Sequence, residues 1–181
     1  YEYAMAYLEN NGYSQYEISN WVKHPSARSQ HNLQYWRYLP YLGFGAGAHG
    51  FWGNMRMVNT PAIPAYLNQL KLMTTPGFPA SPAANEITRL SKWEMMQENL
   101  MVALRMTDEG LSFQAFRNRY GVDVHDVFAG QIRRLTYEGL LEESNGERLR
   151  LTRKGRLFGK RVFAAFIANK VPVGYEYLDD Q

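Results

Sequence analysis

His31, Asn32, Tyr35 and Trp36 fall in one short stretch, His31-Asn-Leu-Gln-Tyr-Trp36. An imidazole nitrogen can ligate iron, and the rings of Tyr35 and Trp36 can pack on a flat macrocycle. The blander reading is a histidine hydrogen-bonded to backbone at a helix start, and spacing alone favours it. Asn32 is either a turn-former or a polar contact. Soon after comes Tyr41-Leu-Gly-Phe-Gly-Ala-Gly-Ala-His-Gly50. Gly45 and Gly47 in that run can turn backbone N–H groups toward a carboxylate or phosphate. A strand end with a tight bend explains them equally well, and His49 shares both readings. The run is no dinucleotide fingerprint, because no capped helix follows its last glycine. Together the two segments predict a site for a flat or anionic small molecule.

Two further groups carry charge. Glu17 lies in Tyr16-Glu-Ile-Ser-Asn20, where strand parity points either Glu17 and Ser19, or Tyr16, Ile18 and Asn20, inward. Parity alone does not choose between a buried carboxylate and a solvated one. Arg148, Arg150, Arg153, Lys154, Arg156, Lys160 and Arg161 cluster late in the chain. Asp123, Asp126, Glu138, Glu142 and Glu143 stand near them, and only Gln131, Arg133 and Arg134 offer themselves as base readers. Nucleic-acid binding needs clustered, uncompensated positive charge, so a solvated face is the better reading.

Composition agrees. The 181 residues carry a net charge of +3, with 45% hydrophobic, 20% charged and 14% aromatic residues. These are the proportions of a globular protein rich in flat side chains. The absence of cysteine excludes disulfides, thiolate catalysis and a cysteine-ligated iron–sulfur cluster built by this chain alone. No apolar run is long enough to cross a membrane and no signal peptide opens the chain, so a cytoplasmic location is expected.

The elements that must position these residues read as α+β. The chain opens on Tyr1 inside a helical pattern ending at Asn11-Gly12, which implies that residues preceding it were removed. A strand is expected over 13–22, a loop over 23–30, and a short helix over 31–38. Strands over 41–44 and 56–59 follow, then a helix over 60–73. Residues 1–59 cannot close a core alone and read as one edge of a larger sheet or barrel, whose exposed apolar flank would drive self-association. The prolines and glycine of 74–85 mark a boundary. The expected domains are 1–73, a linker at 74–90, a second domain at 91–170, and a tail at 171–181 that could add a strand. In the second domain, Ser91 and Glu94 form a capping box for a helix through Met96, Leu100 and Leu104. Helices over 112–120 and 124–140 follow, then a hairpin over 141–152 turning at Asn145-Gly146, then a helix over 153–168. Three helices, a hairpin and a closing helix make a winged-helix arrangement.

The motif His31-Asn-Leu-Gln-Tyr-Trp36 resembles the HNxxYW signature of HemW-type proteins, relatives of oxygen-independent coproporphyrinogen III oxidase in the radical SAM superfamily. Tyr16-Glu-Ile-Ser-Asn20 before it and Leu42-Gly-Phe-Gly-Ala-Gly-Ala-His49 after it are similar to the same family. So are Leu104-Arg105, Glu109-Gly110, Glu138-Gly-Leu-Leu141 and Leu149-Arg-Leu-Thr152. The resemblance implies a C-terminal fragment, with the last strands of an incomplete (β/α) radical SAM barrel followed by a winged-helix C-terminal domain that covers the barrel mouth. It implies a [4Fe–4S] cluster and S-adenosyl-L-methionine in the full-length parent only, with Gly45, Gly47 and His49 near that cofactor. It implies haem binding by the segment His31, Asn32, Tyr35 and Trp36, with His31 on the haem iron, and delivery to haem-requiring acceptor proteins. The fragment itself is expected to be catalytically inactive. The alternatives are a fragment of a genuine coproporphyrinogen III oxidase and a winged-helix DNA-binding regulator.

Overall fold

A computed structural model describes residues 1–72, 77–167 and 170–175. Helices and antiparallel sheets mix along the chain, which is the α+β content expected. The chain divides into two compact units. One joins Tyr1–Tyr38 to the described residues from Met96 onward, and the other is Leu39–Met95. The division therefore falls near residues 38 and 95 and not across the expected linker at 74–90.

The first unit opens with helix α1 (Glu2–Asn10), which buries Met5 and ends at Asn11. The segment expected as one strand over 13–22 is a hairpin of β1 (Ser14–Glu17) and β2 (Asn20–Val22), turning at Ile18-Ser19. A bulge between Gln15 and Glu17 breaks the register. Tyr16 and Glu17 are consequently both buried, at 3% and 1% exposure. Strict alternation, on which the inside-or-outside choice for Glu17 rested, fails where a bulge adds a residue to one strand. Helix α2 (Gln30–Trp36) follows.

The second unit holds a three-stranded antiparallel sheet of β3 (His49–Trp52), β4 (Met55–Asn59) and β5 (Ala84–Arg89), with helix α3 (Ile63–Leu72). The strand expected over 41–44 reduces to an isolated bridge between Tyr41 and Phe51. Residues 84–89, expected as linker, pair with β4 from Met55↔Arg89 to Asn59↔Ala84. Every strand pairing among the described residues is antiparallel. The parallel pairs of a (β/α) barrel are not formed among them.

Helix α4 (Lys92–Ala103) starts at the expected capping box: the Ser91 N–H donates to Glu94 Oε2 at 2.8 Å, and the Glu94 N–H donates to Ser91 Oγ at 3.2 Å. Its Met96 and Leu100, with Leu104 just beyond, are fully buried. Back in the first unit, the short strand β6 (Leu111–Ser112) leads into α5 (Phe113–Tyr120), capped by Ser112 and stopped at Gly121, and then α6 (Val124–Tyr137). Helix α6 buries Val127, Phe128, Ile132 and Leu135, as its period predicts, and kinks at Phe128. Strands β7 (Leu141–Ser144) and β8 (Arg148–Leu151) form the expected hairpin, with a turn over Asn145, Gly146 and Glu147. Strand β6, which the sequence did not suggest, pairs with β8. The closing helix is two pieces, α7 (Arg153–Leu157) and α8 (Gly159–Ile167), broken at Phe158. Phe166 of α8 meets Phe128 edge-on at 5.6 Å in the core. Residues 170–175 contain no strand, and the remainder of the tail lies outside the described residues.

Candidate functional site

Helix α2 carries the residues singled out first. Ser29 caps it, its Oγ accepting from the Asn32 N–H at 3.3 Å. Asn32 thus enters the structure through its backbone, one turn into the helix. Leu33 is buried at 2% exposure and fixes the inner face. Helical spacing then puts His31 and Tyr35 together, and sends Asn32 and Trp36 along a neighbouring strip.

Both ends of α2 are gripped by side chains distant in sequence. At the amino end the Ser29 N–H donates to Tyr16 Oη at 3.2 Å, and the Arg28 guanidinium lies 5.5 Å from the Tyr16 ring centre. At the carboxyl end the Arg105 guanidinium lies 4.2 Å from the centre of the Trp36 ring. Its Nη2 is 3.9 Å from Glu17 Oε2. Glu17 Oε1 accepts from the Ser19 N–H at 3.0 Å and also from Asn20 Nδ2. The adjacent residues Tyr16 and Glu17 therefore hold opposite ends of one helix, Glu17 acting through Arg105. Asp108 and Glu109 add a second grip, since Arg28 pairs with both carboxylates and Arg37 donates twice to Glu109. The β1 turn is itself tied to this region by Ile18 N–H to Arg105 O at 3.0 Å and Thr107 N–H to Tyr16 O at 3.1 Å.

Sequence reasoning places Glu17, Arg105 and Glu109 in family-like segments and leaves Glu17 either an inward carboxylate or a solvated one. Ser29, Arg28 and Arg37 escaped it. The serine before an apolar-periodic run was the one signal available for the cap.

His31 faces outward on this fixed helix. Its Nε2 is 3.3 Å from Tyr35 Oη, and the two rings meet edge-on at 4.9 Å. The ring is exposed and is not the backbone-bonded histidine of the blander reading. Haem iron needs an imidazole that can be reached from solvent, and the His31 ring is exposed. An iron–sulfur cluster fails the equivalent test, because the chain has no cysteine. No group of three or more His, Cys, Asp or Glu side chains placed to hold a metal occurs among the described residues.

The glycine run belongs to the other compact unit. Three of its N–H donors are used within that unit. The Gly45 N–H donates to Tyr66 Oη at 3.3 Å, Gly47 N–H to Thr60 O at 3.1 Å, and Ala48 N–H to Gly45 O at 3.3 Å. Buried Asn59 donates from Nδ2 to Gly43 O and Gly45 O at 3.2 and 3.0 Å. A Cβ on Gly43 would stand 2.3 Å from His49 O, so the chain doubles back too closely for any side chain there. The run therefore makes a tight bend, closed by Asn59. His49 is exposed at the start of β3.

A further polar cluster lies in the first unit. His125 Nδ1 is 3.0 Å from Asp123 Oδ1 and its Nε2 is 3.0 Å from Glu143 Oε1. Burial lowers the His125 pKa, but the hydrogen bonds to Glu143 and Asp123 outweigh it and raise the value overall. Burial pushes the Asp123 carboxyl up, but bonds from the His125 N–H, the Arg117 guanidinium and the His125 ring hold it at about 2.

Residues 90–158 match the HemN C-terminal domain family. The chain is 36% identical over 167 residues to "Heme chaperone HemW" of Bacillus subtilis, covering 92% of this chain and 41% of that protein. It is 31% identical over 173 residues to "Heme chaperone HemW" of Lactococcus lactis, covering 94% and 42%. In structure it is similar to the radical SAM enzyme coproporphyrinogen III oxidase (HemN) of Escherichia coli, with a TM-score of 0.64 and 16% identity, covering 91% of this chain and 39% of that one. The chain thus spans about two fifths of the length of these relatives. Matched to the HemN C-terminal domain and similar over most of its length to HemW proteins, the chain belongs to the HemW-type relatives of HemN.

Proposed function

We propose that this chain supplies the haem-holding helix of a HemW-like haem chaperone, with His31 as the ligand to the haem iron. One observation carries the reading: an exposed imidazole, with its Nε2 3.3 Å from Tyr35 Oη, sits on a short helix clamped at both ends. A carrier needs a ligand that is accessible and held in place. Tyr35 beside it can orient the ring, and the Trp36 face lies one strip over. Haem is the cargo, and acceptor proteins that require haem are its destination.

Further parts of the reading rest on the likeness to longer relatives. Residues 1–73 would then form the last strands of a radical SAM barrel, and the hairpin β7–β8 with α5, α6 and β6 its winged-helix companion. The [4Fe–4S] cluster and S-adenosyl-L-methionine belong to the part of such a protein that supplies cysteines, with Gly45, Gly47 and His49 near the latter. Self-association through the barrel edge and a cytoplasmic location complete the proposal; no helix among the described residues is long and apolar enough to cross a membrane. The DNA-regulator alternative is disfavoured by charge pairing. Arg150, Arg153 and Arg161 are bound to Glu142, Glu9 and Glu138, and Arg148 and Lys154 to backbone carbonyls.

Haem titration tests the central claim. The 181-residue chain is expected to shift the Soret band, and His31→Ala to lose the shift that reports imidazole ligation. Identical spectra remove His31 as the ligand. Reconstitution with iron and sulfide is expected to give no cluster absorbance, and cleavage of S-adenosylmethionine by this chain would overturn that part of the reading.

A further inference from the structure

Glu17 Oε2, Arg105 Nε and Trp36 Nε1 are buried and hydrogen-bonded to nothing among the described residues. They belong to consecutive side chains of the same stack, Glu17 against Arg105 and Arg105 against Trp36. Each such orphan costs on the order of 1–3 kcal/mol, and native proteins keep few of them without a reason. These atoms are closed to solvent; Arg105 Nη1 and Nη2, which are not among them and also lack a hydrogen bond among the described residues, are the donors left for an acceptor.

Arg28 Nε is buried and unpaired as Arg105 Nε is, and the three arginines around α2 differ in what their other nitrogens do. Arg37 spends Nε and Nη2 on Glu109, and Arg28 spends both terminal nitrogens on Asp108 and Glu109. Arg105 makes no side-chain hydrogen bond among the described residues, although its side chain is 29% exposed. A guanidinium lying over an indole keeps its N–H groups in its own plane, where a carboxylate can accept two of them in parallel.

We propose that Arg105 and Trp36 form a carboxylate-binding site at the carboxyl end of α2, and that it takes a propionate side arm of the porphyrin. The proposal rests on the haem reading of this helix and deepens it. Trp36 follows His31 by five positions, about 7.5 Å along a helix axis and about 140° around it, so a propionate arm would have to reach Arg105 past the carboxyl end of α2 while the iron stays at His31. Glu17 offsets much of the Arg105 charge. The site therefore holds its carboxylate through directed hydrogen bonds more than through net charge, which suits cargo that must be released.

The test uses a metal-free porphyrin dicarboxylate and its dimethyl ester, followed by quenching of intrinsic fluorescence. Without iron, the measurement is independent of His31 ligation. The whole chain is expected to bind the diacid about tenfold more tightly than the ester, the size of one charge-assisted contact. Arg105→Gln removes the carboxylate contact together with the grip on Trp36, so it is expected to weaken diacid binding about tenfold more than ester binding, and Arg105→Lys to keep part of the preference. Equal binding of diacid and ester by the unaltered chain overturns the proposal. So does an Arg105→Gln variant that weakens both alike, since Arg105 would then only prop Trp36. Should Arg105→Gln fail to fold by circular dichroism, Arg105→Lys decides, and an undiminished diacid preference in it overturns the proposal. His31→Ala separates the two readings: it is expected to lose the iron-dependent Soret shift and to keep the diacid preference.

Discussion

Glu109 receives the Arg37 guanidinium on both carboxylate oxygens, Nη2 at 2.8 Å from Oε1 and Nε at 3.2 Å from Oε2. Its Oε1 is also 3.5 Å from Arg28 Nη1. One carboxylate after α4 thus ties down the residues that precede and follow α2. The hydrogen bond from Arg37 to Glu109 is the main reason that the Arg37 pKa is pushed further up, against the opposing effect of burial.

Glu109→Gln removes this charge from both arginines. Partly exposed pairs are worth little singly, so a global loss of about 1 kcal/mol is expected, a fall in Tm of roughly 2–4 °C for a chain of this size. The sharper effect is local: amide exchange across Gln30–Trp36 accelerates as the carboxyl end of α2 frays. Unchanged exchange there would remove Glu109 as a clamp.

Gly110 connects that clamp to the β6–β8 ladder. Its φ is +62° and a Cβ would lie 2.2 Å from Leu149 O, at the point where Leu111 pairs with Leu149. Gly110→Ala is therefore expected to cost about 3 kcal/mol or more, from backbone strain and a clash that cannot relax without breaking the ladder. Urea unfolding checks this, and a midpoint within error of the parent chain would contradict it.

Asn59 closes the glycine run from within the second unit. Asn59→Leu leaves the half-buried carbonyls of Gly43 and Gly45 without their partner, a loss of about 1 kcal/mol. The His49 ring resonances should move with it, because β3 starts at the loop's end. A stable variant with an unmoved His49 would show that the bend holds itself.

The His125 bridge predicts a pH dependence. A histidine whose folded pKa exceeds the unfolded value of about 6.5 contributes all its stability below that value and loses it as pH rises through the folded pKa. Asp123 behaves oppositely: its contribution is complete above the unfolded pKa of about 3.9 and disappears as pH falls through about 2. The Tm difference between the parent chain and Glu143→Gln should accordingly be largest near about pH 5.5 and shrink toward about pH 8. A difference constant across that range would place Glu143 outside the titrating pair.

What the sequence determined by itself is what neighbours along the chain decide. Met96, Leu100 and Leu104 recur at helical spacing, Ser91 and Ser112 sit where orphan N–H groups need a cap, and Asn145-Gly146 accepts the positive φ of a turn. Each is an interaction over a few residues, so pattern suffices. Tertiary structure alone decided the rest. Strand β5 is exposed along most of its length and earns its conformation only by pairing with β4, so its sequence reads as a linker. The bulge that buries Tyr16 and Glu17 together overrides alternation. The grip on α2 comes from Arg105 and Glu109, some seventy positions further along the chain. His31 was visible from the start, but the rigidity that makes an exposed imidazole useful comes from burial and ion pairing with residues that meet only when the chain is folded.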